Sequence, residues 1–169
     1  MLITIAGLPA HPLLVHAAVV LVPLAALGTL AIAIKASWRR PYGILVAIFA
    51  VLAGLSATAA KLAGDQLYAT LSVNGAVGPG IDQHGMFGQY TMFASWPFAV
   101  LAVVGVVLAR QGGRPAAHAA RGQTATAQTS TAAVVVLWLA ALAGLATLAL
   151  VVLTGDSGSR AVWGFVTQS

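Results

Sequence analysis

The sequence has no cysteine, only three acidic residues, and 7% charged residues in 169. Without cysteine there are no disulfides, iron–sulfur clusters or thiolate metal sites, and the redox compartment stays open. An ordinary soluble domain is roughly a quarter charged. So poor a supply of charge cannot cover a water-facing surface. What fills the chain instead is hydrocarbon: 60% of residues are hydrophobic and the mean hydropathy is +0.95. The composition is that of an integral membrane protein about one domain long.

The net charge of +5 is basic, but its distribution argues against nucleic acid. The basic residues lie in short loops between apolar runs, not in a patch with interleaved aromatics. The opening "MLITIAGLPAHP" has no basic residue ahead of its apolar ones, so no cleavable signal peptide is expected. No nucleophile–base pair, phosphate loop or spaced carboxylate pair stands out. The chain reads as a carrier or accessory protein rather than an enzyme.

Four apolar stretches reach the roughly 20 residues a helix needs to cross a bilayer. They fall at about 13–34, 43–64, 87–109 and 132–154. Hydrocarbon offers no hydrogen bonds, so these segments must be helices. The expected fold is all-α, a single transmembrane domain over 1–169 forming an antiparallel four-helix bundle. "AGLSATAA" and "ALAGLATLA" supply small residues through which membrane helices approach closely. Pro23 and Pro97 lie inside spans and are expected to kink them. No internal repeat is obvious, although spans one and two share a topology with spans three and four.

The first loop carries Lys35, Arg39 and Arg40, and the third carries Arg110, Arg114 and Arg121. The opposite side has Lys61 and Arg160. This bias puts the first and third loops in the cytoplasm and both termini outside. The segment 111–130, rich in Gly, Ala, Thr and Gln, is expected to be a mobile cytoplasmic connector. His118 within it has no assigned role.

That topology gathers scattered polar residues at one end. His11 and His16 open span one, Asp65 ends span two, Asp82 and His84 precede span three, and Asp156 follows span four. Polar residues at a membrane boundary either satisfy helix ends or form a site. His16 and His84 are the pair weighed most. Gly85 and Gly88 leave space beside His84, as a flat cofactor requires. Two facing histidines in a bundle can hold haem iron through both axial positions. Lys61 and Arg160 are on the correct side to meet haem propionates. His11 and His16 are five apart, about 140° on a helical wheel, so both cannot face one iron. His16 is expected to turn inward, with His11 nearer water. The alternatives are a zinc or copper site drawing on His11, His16, His84 and Asp65, Asp82 or Asp156, and an accessory subunit of a larger membrane complex. Trp38, Trp96, Trp138 and Trp163 read as an aromatic belt or packing.

"GLPAHPLLVHAAVVLVPLAAL" resembles the start of a bacterial family of small four-helix membrane proteins catalogued as domain of unknown function 2231. The family's signature is Pro-x-His-Pro-x-x-Val-His before a hydrophobic span. Gly64 with Asp65, His84, and Thr154, Gly155 and Gly158 match later features in order. The resemblance covers nearly the whole chain. It implies a bacterial inner-membrane location, a distant likeness to membrane cytochromes b, and electron transfer with haem b and a quinone, a redox partner or a larger complex. Association into homo-oligomers is a further expectation for so small a bundle. By position, His16 and His84 would be axial ligands. Two departures bear on pocket shape: Ala17 and Ala18 stand where an aromatic and a proline are frequent, and Ser159 stands where a glycine pair is usual.

Overall fold

A computed structural model describes residues 3–75, 77–112 and 130–164. Four helices dominate them: α1 (Ala10–Ile34), α2 (Arg39–Val73), α3 (Pro79–Gln111) and α4 (Thr131–Trp163). All four are long and apolar enough to cross a membrane, and together they form a multi-pass bundle whose large apolar side chains face outward toward lipid. α1 packs on α2 and α4, and α3 packs on the same two, so α1 and α3 stand diagonally across the bundle.

Each helix start and stop has a local cause. A two-residue hairpin, β1 (Thr4–Ile5) against β2 (Leu8–Pro9), precedes α1. Its turn places Ala6 at φ 51° and Gly7 at φ 80°, the double positive φ of a tight hairpin turn. Strands this short leave no periodic signal, and the hairpin was not anticipated. At the far end of α1, Arg39 donates from Nε to the Ile32 carbonyl and from Nη2 to that of Ala33, both at 2.9 Å. Those are carbonyls that a helix C-terminus leaves without partners. Pro79 starts α3, where its missing N–H costs nothing. Ser130 caps α4 by accepting from the Ala133 N–H. Pro23 and Pro97 lie within helices assigned without interruption.

The helices exceed the expected spans mainly at one end. α2 continues nine residues past 64, α3 begins eight before 87, and α4 runs nine past 154. At about 1.5 Å per residue, these 33- and 35-residue helices are roughly 50 Å long, against a hydrocarbon core of about 30 Å. Polar residues there end the hydrophobic run without ending the helix.

The core is built from small side chains. Ala25, Ala26, Ala50, Ala53, Ala102 and Ala140 pack around Val22 and Phe98. Gly144 makes room for Phe98: a Cβ there would lie 2.8 Å from the ring and 3.2 Å from Ala26 Cα. Buried hydroxyls close on their own helices, as Thr29 does on the Ala25 carbonyl and Thr147 on that of Ala143. No buried side-chain polar atom among the described residues lacks a partner.

Candidate functional site: a histidine pair at one end of the bundle

α1 and α3 each bring one histidine to the bundle interior within their first two turns. His11 and His84 are both half-buried. Their ring centroids are 5.8 Å apart with planes at 80°, an edge-to-face contact across the bundle diagonal. Ala60, level with this pair, is 21 residues beyond Arg39, about 30 Å along the axis. That separation is close to the thickness of a bilayer's hydrocarbon core, about 30 Å.

Each ring is tied to the neighbouring helix of its own hairpin. His11 Nδ1 lies 2.8 Å from the Ala60 carbonyl oxygen and His84 Nδ1 lies 2.9 Å from that of Thr154. A carbonyl only accepts, so Nδ1 carries a proton, and in the neutral tautomer this selects, Nε2 keeps its lone pair. The acceptors differ in sequence, but the cradle is repeated. Four residues beyond Ala60 comes Gly64, and four beyond Thr154 comes Gly158. A Cβ on Gly64 would sit 2.9 Å from both Cε1 and Nδ1 of His11, and one on Gly158 would sit 2.9 Å from the same atoms of His84. Each ring therefore lies flush on a glycine, one helical turn past the carbonyl it donates to. The α1–α2 and α3–α4 hairpins carry the same device, a repeat that the residues alone did not disclose.

The second half has an added clamp. Thr154 Oγ1 donates to the Leu150 carbonyl at 2.7 Å. Its one proton is thereby used, so Thr91 donates in the 2.9 Å contact between the two threonine hydroxyls. This bond joins α3 to α4 beside His84.

The other candidates are placed as follows. His16 is exposed, and its Nδ1 faces the Pro12 carbonyl of its own helix. The expectation that His16 turns inward is therefore corrected. The two α1 histidines do point in different directions, as their spacing requires, but His11 has the inner one. Gly88 is near the Lys61 stem and Thr154, with a Cβ meeting them at 3.8 and 4.0 Å. Gly85 has open space beside it, as does Gly155. Lys61, its side chain 16% exposed, pairs with Asp65 at i+4. Arg160 pairs with Asp156 at 2.9 Å and is 76% exposed. Asp82 accepts from the Tyr68 hydroxyl at 2.8 Å. The acids thus have partners of their own, and among the described residues no group of three or more histidine or acidic side chains converges as a metal centre. His118, Arg114, Arg121 and most of the expected connector lie outside the described residues.

Sequence reasoning missed Ala60 and Thr91, singled out Gly64, Thr154 and Gly158 only through the resemblance and not as a cradle, and paired His84 with His16 in place of His11. One signal was available. "AKLAG" and "TGDSG" both set a small residue four positions before a glycine, at the ends of spans two and four.

Fold and site define an integral-membrane four-helix bundle with paired histidines at one end. The chain belongs to the family described as "Predicted membrane protein (DUF2231)", whose model matches residues 7–169. No curated protein and no solved structure matches the chain.

Proposed function

We propose that this protein is a membrane electron carrier that holds haem b between His11 and His84. The observation that carries the reading is the repeated cradle: two imidazoles from diagonal helices, each with Nδ1 donating to a carbonyl and Nε2 left over. A histidine that binds metal through one nitrogen commonly donates the other to a carbonyl, which fixes the ring and raises its basicity. The donor set also favours haem over a bare ion. Zinc and copper want three or four protein ligands, and the nearby carboxylates are already paired. Haem brings its own equatorial nitrogens and asks the bundle for two axial ones. The cations at this end, Lys61 and Arg160, are held by Asp65 and Asp156, so they meet its carboxylates only by exchanging those partners. When bound, the group supplies one-electron chemistry, while the protein sets ligands, dielectric and access.

The bias of basic residues toward the opposite end supports a site at the outer face of a bacterial plasma membrane. A quinone or a partner subunit is the natural exchange partner for a carrier with so little soluble surface. The test is the visible spectrum of detergent-purified protein, oxidised and then dithionite-reduced. A Soret band with reduced α and β bands is expected, lost in His11→Ala and in His84→Ala and kept in His16→Ala. Protein that stays colourless after haem is added overturns the reading.

A further inference from the structure

A second feature lies at the opposite end of the bundle and does not depend on the histidines. A groove of about 450 Å³ runs between α2 and α3, lined by apolar side chains that include Ile44, Ile48, Leu52, Val103 and Val107, with Arg110 at one end. Arg110 Nη1 donates to the Arg40 backbone carbonyl at 3.1 Å, and Arg40 stands one helical turn before Ile44, on the face of α2 that lines the groove. Both arginines are exposed, and among the described residues neither is in an ion pair. Arg39, one residue away, is different: its guanidinium is spent on the last carbonyls of α1. All three acidic residues of the chain are at the other end of the helices.

We propose that this groove is a binding site for one anionic phospholipid, with an acyl chain between α2 and α3 and the headgroup phosphate at Arg40 and Arg110. The dimensions fit. Arg40 to Leu52 is 12 residues of α2, about 18 Å. One leaflet of hydrocarbon is about 15 Å deep, so the groove reaches from the interface to about the midplane, as a single chain does. The charge fits as well, because basic pockets between membrane helices take anionic headgroups. Other occupants fit less well. A neutral quinone offers nothing to two guanidinium groups. A second copy, related by a two-fold axis along the membrane normal, would set the same cations against each other.

The test is native mass spectrometry of the full chain released from nanodiscs made with equal parts phosphatidylglycerol and phosphatidylcholine. One phosphatidylglycerol is expected to stay bound in preference to phosphatidylcholine. Arg110→Gln and Arg40→Gln should each weaken that preference by about fivefold, and both side chains are exposed, so the fold should persist. Val107→Trp, which fills the trough, should release the lipid with both arginines intact, at unchanged helical circular dichroism. Equal retention of the two lipids overturns the proposal, as does an undiminished preference in the double arginine variant. Displacement by excess inorganic phosphate alone, or a dimer in place of the lipid, overturns it too.

Discussion

The two halves of the bundle hold their histidines alike and secure them differently. In the first, His11 lies on Gly64 and donates to Ala60, whose side chain adds no hydrogen bond. What braces this half is peripheral, a bond from the Ile3 N–H to Gln66 Oε1 at 3.1 Å that ties the N-terminal segment to α2. In the second, His84 lies on Gly158 and donates to Thr154, whose hydroxyl is itself engaged by Leu150 and Thr91. The essential parts are therefore a backbone carbonyl and a glycine one turn apart. The side chain at the carbonyl position is free to vary, because the imidazole reads only the backbone.

The glycines are where this comparison breaks most severely. Gly64→Ala or Gly158→Ala would press a methyl group to 2.9 Å from a ring held by its hydrogen bond. Overpacking of this kind costs about 1–3 kcal/mol. Each variant should lose that much in reversible unfolding from detergent, and in each the Nδ1 bond of the adjacent histidine should vanish from imidazole ¹⁵N spectra. A clear inequality between the two would mean that the threonine clamp, and not the glycine, sets the position of His84.

Removal of that clamp gives a smaller effect confined to one half. Thr91→Val should cost about 0.5–1.5 kcal/mol, the net value of a hydrogen bond. In a double-mutant cycle with Thr154→Val the two losses should fall short of additive, since they share one bond. The same threonine changes should leave the His11 imidazole signals in place. His16→Ala gives the smallest effect. An exposed residue bonded only to its own helix should change stability by no more than about 0.5 kcal/mol, measured in the same unfolding assay.

Much of the scaffold was legible in the residues. Four runs of hydrocarbon, the basic loops between them and the gathering of Asp65, Asp82, His84 and Asp156 at one end followed from composition and the thickness of a bilayer. The ends of the helices were harder to read. "DQLYATLSV" after Gly64 has too little hydrophobicity for a membrane span, yet it stays helical and bonds through Tyr68 to Asp82 of α3. His84, singled out in the sequence, does turn inward, but the α1 histidine that meets it is His11 and not His16.

That difference marks the division between sequence and tertiary structure. By itself the sequence determined that the chain lies in a membrane, that it crosses as helices and that its polar residues meet at one end. Those outcomes depend on the free energy of hydrocarbon and on backbone groups satisfied locally. The rotation of each helix about its own axis is another matter. α1 is apolar nearly all round, so no amphipathic stripe tells His11 from His16. Only the packed bundle decides it, because the Ala60 carbonyl and the bare backbone of Gly64 lie opposite His11 and leave His16 facing out.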